Sequence, residues 1–145
     1  MSINLTRLSF FCILISDSIP SMILTGSRII KLKLVQNVAN YELQVQPCGI
    51  DFSLKRVCNW DSSGVIDFDN SSRRLPRYNN LDFENEIIFL KKGGYLVEFN
   101  ESVALPKNIA SAIHTRSSLF RSGVTLHGGV IDPGYVGAVG ALMQV

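Results

Sequence analysis

Thr115 to Gly137 reads TRSSLFRSGVTLHGGVIDPGYVG, and no other stretch of the chain gathers so many uncommon residue types. It opens with a polar cluster, Arg116, Ser117, Ser118 and Arg121, continues through a glycine-bearing hairpin candidate from Val124 to Val130, and sets Asp132 between Ile131 and Pro133 just before Gly134-Tyr135. The arginine fork and two hydroxyls form a donor set that can wrap the oxygens of a phosphate or diphosphate. The same four residues also suit a solvated turn with an N-cap serine before Leu119, and the residues alone leave both readings open. Gly128-Gly129 interrupts an apolar run, either as an ordinary hairpin turn or as a place where another group approaches the backbone closely. Asp132 sits in an apolar strand, where a buried carboxylate costs stability unless it is paired or has a task. Phosphate donors, an open backbone edge and a lone acid within one short stretch point to a site that hydrolyses a nucleotide phosphate.

Outward from this stretch the pattern is that of many short strands. Tyr41 to Val45 and Ile50 to Val57 alternate apolar and polar residues and are predicted as strands, while Ser27 to Val38 mixes helical and strand spacing. Asn59 to Asn80 is rich in Asp, Ser, Asn and Arg and reads as a loop-rich insertion with a short strand at Val65 to Phe68. Glu86 to Leu90, Tyr95 to Asn100, Ser111 to His114, Gly123 to Leu126, Gly129 to Ile131 and Val139 to Val145 follow as β-rich runs divided by turn signals. Near-regular spacing of this kind predicts an all-β sandwich or barrel rather than βαβ units.

At 145 residues the chain is one domain's length. A net charge of +2 gives no basic patch that calls for nucleic acid or an anionic membrane. Cys12, Cys48 and Cys58 form neither a CxxC nor a zinc spacing, and their odd number argues against a disulfide framework, so a reducing, cytoplasmic setting is the simpler expectation. His114 and His127 are too isolated to suggest a metal site. Phosphate-loop, GxGxxG, HExxH and GxSxG patterns are absent, which removes the main support for P-loop, Rossmann, zincin and hydrolase-elbow chemistry. Leu8 to Ile15 is apolar but too short to span a bilayer. Residues 1–21 are expected to be a leader outside the fold, with the domain running from 22 to 145.

RSSL-x-RSG followed by GVIDPGYVG resembles the second and third motifs of the trimeric dUTPase and dCTP deaminase superfamily. Gln46 to Phe52 resembles the first motif, and Gly94-Tyr95-Leu96-Val97 with Ala104-Leu105-Pro106 resembles the lead-in to the second; the resemblance runs from about Met22 to Val145. It implies a distorted jelly-roll β-barrel of the dUTPase-like, β-clip type, a homotrimer, and hydrolysis of dUTP to dUMP and diphosphate. By the same resemblance Asp132 is the general base, Tyr135 packs beneath the deoxyribose, and Arg116, Ser117 and Ser118 hold phosphates. The backbone from Leu126 to Gly129 pairs with the uracil edge, and Arg121 matches an active-site arginine of the deaminase-like branch. Asp51 matches an aspartate that acts near Mg²⁺ through water or by orienting the second-motif arginine.

Two departures qualify the resemblance. Deamination needs a glutamate ten residues after the motif-three aspartate, and that position here is Leu142, which favours hydrolysis over a dCTP deaminase. The fourth motif, Gly-x-Arg-x-Ala-Gln, does not occur before Val145, so the domain is expected to be C-terminally incomplete, with an inactive nucleotide-binding or trimer-forming remnant as the further alternative.

Overall fold

The computed structural model of the chain describes residues 2–4, 10–16 and 22–145. In chain order its elements begin with β1 (Ser2–Asn4), β2 (Phe10–Ser16), β3 (Met22–Ile23), α1 (Gly26–Lys31), β4 (Val35–Gln36), α2 (Tyr41–Gln44), β5 (Val45–Gln46) and β6 (Gly49–Phe52). They continue with β7 (Leu54–Trp60), β8 (Tyr78–Asn80), β9 (Ile87–Phe89), β10 (Gly94–Ala104) and β11 (Ile109–Thr115). The last are α3 (Ser117–Arg121), β12 (Thr125–His127), β13 (Val130–Ile131) and β14 (Val136–Gln144).

The fold is all-β and dUTPase-like. One antiparallel sheet runs β12-β14-β10-β7-β8 with β4 on β10, and a second runs β13-β11-β2-β6-β5 with β3 on β2. Period-two alternation builds the core between them. Val139, Ala141 and Met143 of β14, Val97, Phe99 and Val103 of β10, and Ile109 and Ile113 of β11 are buried. Each Val, Ile, Phe or Met side chain among them contributes about 1.5–3 kcal/mol through burial. Phe52 of the second sheet meets Phe99 of the first edge to face, ring centroids 5.8 Å apart and planes at 72°.

The long strand β10 shares one edge between two partners. Leu96 to Phe99 pair with β7, whereas Ser102 and Val103 pair with β4. Residues 100–101 fall between those ladders, and the buried Glu101 lies there.

Three local expectations are corrected. Tyr41–Gln44 is a helical turn and not a strand, because the Asn40 side chain accepts from Leu43 N–H at 3.1 Å and starts it. Val124 to Val130 is not a hairpin: β12 pairs with β14 and β13 with β11, so Gly128-Gly129 carries the chain from one sheet to the other. Val65 makes only an isolated bridge to Arg74, leaving no strand at Val65 to Phe68. The leader expected over residues 1–21 falls partly outside the described residues; within them β1 pairs with β9, and β2 lies between β6 and β11.

Candidate functional site

The first motif and the polar cluster come together across the chain. Asp51 lies in β6, a strand buried along its length, with α1 and α2 packed against it. The Arg116 guanidinium donates to its carboxylate, joining two residues 65 positions apart in sequence. Asp51 is only 1% exposed and Arg116 41%, so the arginine caps a buried acid while keeping one side toward solvent. Around the pair, Gln46, Pro47, Cys48, His114, Thr115 and Ser117 line a hollow of about 340 Å³.

Arg116 also occupies the N-cap position of α3, without a side-chain capping bond of its own. The N-cap serine before Leu119 is not what forms, because Arg116 holds the N-cap position and Ser117 opens the helix itself. Ser118 is exposed and its carbonyl accepts from Ser122 Oγ at 2.8 Å, while Arg121 sits exposed in the last turn. Neither Ser118 nor Arg121 lines a hollow described here.

A second hollow, about 310 Å³, is lined by Ile113, Gly129, Val130, Ile131, Asp132, Tyr135, Ala138, Val139 and Gly140. Asp132 is solvent-facing, not buried as its apolar neighbours suggested, because β13 ends at Ile131 and Pro133 turns the chain away. Tyr135 folds back along the start of β14, its hydroxyl donating to Ala138 O at 2.7 Å. Gly137 makes that placement possible, since a Cβ there would sit 2.8 Å from the Tyr135 hydroxyl oxygen and 3.1 Å from Cζ. The ring thereby forms a fixed wall of the hollow while remaining 43% exposed.

Between the two hollows runs β11: Ile113 lines the second, and His114 and Thr115, at the end of the strand, line the first. Gly128 lies close against this strand, where a Cβ would meet Ile113 Cβ at 3.0 Å. The group that approaches the glycine backbone there is therefore β11. Gly129 has open space beside it and lines the Asp132 hollow. Leu126 belongs to the core, and its N–H donates to Thr115 Oγ1 at 2.7 Å. Of the backbone groups assigned to a base edge, that one is already engaged.

Asp132, Gly129 and Tyr135 thus share one hollow, and Asp51, Arg116 and Ser117 share another. The sequence reading missed Gln44 and Glu101, the buried polar pair behind Asp51. A glutamate and a glutamine 57 positions apart carry no local signal.

Two antiparallel sheets, with Asp51 paired to Arg116 and Asp132 beside Tyr135, define an all-β protein of the dUTPase-like fold class. Residues 16–145 match the family model described as dCTP deaminase-like, and the chain belongs to that family. It is 44% identical over 113 residues to the probable deoxyuridine 5'-triphosphate nucleotidohydrolase of Methanosarcina barkeri, covering 77% of this chain and 66% of that one. To the deoxyuridine 5'-triphosphate nucleotidohydrolase of Methanocaldococcus jannaschii it is 42% identical over 106 residues, 72% of this chain and 68% of that protein. The probable enzyme of Aeropyrum pernix is 30% identical over 124 residues, 86% of this chain and 76% of its own. The chain spans about two thirds of the length of the first two relatives.

Proposed function

We propose that this protein hydrolyses dUTP to dUMP and diphosphate. The observation that carries the reading is the hollow in which the solvent-facing Asp132 stands beside Tyr135 and the open backbone of Gly129. Water is a weak nucleophile at neutral pH, and a carboxylate within hydrogen-bond reach can take its proton as it attacks the α-phosphorus. The bond from the α-phosphorus to the bridging oxygen breaks, and diphosphate leaves. Tyr135, held by Ala138 and Gly137, would lie beneath the deoxyribose, and a 2′-hydroxyl would meet its ring.

Arg116 and Ser117 supply donors for the phosphate chain, with Ser118 and Arg121 assigned more peripheral parts on the α3 rim. Asp51 orients Arg116. The donor set fits Mg²⁺ in an indirect way: the described residues hold no group of three or more His, Cys, Asp or Glu, and the Asp51 carboxylate is already met by Arg116. Mg²⁺ takes oxygens and keeps several waters, so phosphate oxygens of the substrate and water, with Asp51 reached through water, would hold it. When bound it neutralises charge on the phosphates.

A homotrimer suits this arrangement, because the Asp132 and Arg116 hollows of one chain have no lining residue in common and a neighbouring copy could bring one to the other. Val130 and Val136, exposed beside the Asp132 hollow, are apolar surface for such a contact. No helix among the described residues is long and apolar enough to cross a membrane, and the free thiols of Cys48 and Cys58 suit a cytoplasmic setting. Leu142, 37% exposed on β14, offers no proton shuttle and sets the reading apart from deamination.

Incubation of the purified protein with Mg²⁺ and dUTP, UTP or dCTP tests this. Diphosphate release from dUTP, with UTP spared and no ammonia from dCTP, is expected. Ammonia from dCTP would turn the assignment to deamination, and nucleotide binding without turnover to a non-catalytic binding role.

A further inference from the structure

Behind the Asp51 and Arg116 pair lies a buried polar network that the proposed chemistry does not use. Gln44 is the last residue of α2, and the register of β5 on β6, Val45 opposite Ile50 and Gln46 opposite Gly49, would place residue 44 opposite Asp51. The backbone ladder stops there. In its place the Gln44 side chain donates from Nε2 to the Asp51 carbonyl at 2.9 Å, so a side-chain amide extends the sheet by one rung.

That amide has one satisfactory orientation. Gln44 Oε1 accepts from the N–H groups of Ala39 and Asn40, both at 2.9 Å, while Nε2 donates to Asp51 O and to Glu101 Oε1, the latter at 2.5 Å. Reversing it would set two donors against two donors and oxygen against two acceptors. Glu101, fully buried, accepts in addition from Ser53 N–H and Ser53 Oγ, each at 2.8 Å. Its position in the gap between the β7 and β4 ladders of β10 leaves room for these partners.

We propose that Glu101 and Gln44 are positioning residues for the phosphate side of the site: Glu101 fixes the Gln44 amide, Gln44 fixes the backbone at Asp51, and Asp51 aims Arg116. This rests on the assignment of Arg116 to the substrate's phosphates. The network touches no group in the Asp132 hollow, so it governs the grip on the phosphate chain and leaves nucleoside recognition alone.

The two side chains can be exchanged to separate positioning from packing. In Glu101→Gln alone, a new amide donor must face the donor of Gln44 or of Ser53. In the double variant Gln44→Glu/Glu101→Gln the pair forms again, since the amide at 101 can donate to the carboxylate at 44 and to Ser53 Oγ while its oxygen accepts from Ser53 N–H. Only the bond to the Asp51 carbonyl is lost, replaced by oxygen facing oxygen.

Thermal melting, calorimetric titration with inorganic diphosphate and with deoxyuridine in the presence of Mg²⁺, and steady-state kinetics on dUTP are compared for the wild-type chain and these variants. Glu101→Gln should melt lower and bind diphosphate more weakly. The double variant should melt above Glu101→Gln yet retain a diphosphate affinity and a KM for dUTP weaker by roughly tenfold, with kcat and deoxyuridine binding close to wild type. If it instead melts and binds diphosphate like wild type, the network only packs and the proposal is overturned. Should the double variant not fold, Gln44→Met, measured below its own melting temperature, decides in its place: weakened diphosphate binding supports positioning, and unchanged binding overturns it. Wild-type protein that binds no diphosphate would overturn the phosphate-side assignment itself, an outcome distinct from equal binding by wild type and variants.

Discussion

Of the aspartates that follow an isoleucine in this chain, Asp51 in Gly49-Ile50-Asp51-Phe52 and Asp132 in Val130-Ile131-Asp132-Pro133 are treated oppositely by the fold. After Asp51 the strand continues to Phe52, whose ring packs on Phe99, and the acid is carried into the interior where Arg116 and the Gln44 rung hold it. After Asp132 comes a proline, the strand ends, and the acid faces a hollow. A buried, ion-paired carboxylate is poorly placed to take a proton from water, whereas an exposed one beside a tyrosine wall is free to do so. The contrast supports the proposal that Asp51 is architectural and that Asp132 takes the proton.

The largest effect that could break this contrast is on turnover. Asp132→Asn should lower dUTP hydrolysis roughly 10²–10⁴-fold, as removal of a general base does, with nucleotide binding kept. Its stability should stay within about 0.5 kcal/mol of wild type, as for an exposed position. Near wild-type kcat in this variant would remove Asp132 from the mechanism.

Arg116→Met should behave in the other way. It leaves the Asp51 carboxylate inside the protein without its cation, and because Arg116 is half-exposed the cost is expected near about 1–2 kcal/mol, below that of breaking a fully buried pair. Urea denaturation at neutral pH measures it. A midpoint equal to wild type would mean that the pair contributes nothing to folding and that Asp51 is not architectural.

The smallest effect concerns Cys48 and Cys58, which sharpen the same distinction between lining a hollow and lying in the core. Cys48 lines the Arg116 hollow and is exposed; Cys58 is buried, and burial pushes its thiol above the ordinary value. A maleimide should label Cys48 in the native protein and reach Cys58 only on unfolding, as peptide mass mapping would show. A raised folded-state pKa means that this contribution to stability is complete below the unfolded thiol's pKa and is lost as pH rises through the folded value. Melting temperature should therefore decline on the alkaline side, and less so in Cys58→Ala. An identical alkaline decline in both proteins would show that the buried thiol is not its source.

Much of this was open to reading from residue order. Alternation from Ile50 to Val57 and the many short β-rich runs divided by turn signals supported an all-β reading, because period two survives whatever partner a strand takes. Gly128-Gly129 suggested a hairpin, but a glycine pair marks only a place where the backbone can turn or be approached. Which of those happens depends on where β14 and β11 lie.

What the sequence by itself determined was the kind of fold and the family the chain belongs to, since alternation, turn residues and short motifs are local properties of a chain. Tertiary structure alone decided which aspartate is buried, that Arg116 spends its charge on Asp51, that Leu126 turns inward, and that Gln44 and Glu101 stand behind the site. Each of those depends on a contact between residues far apart in sequence, and desolvation and hydrogen-bond geometry take their values only when such residues meet.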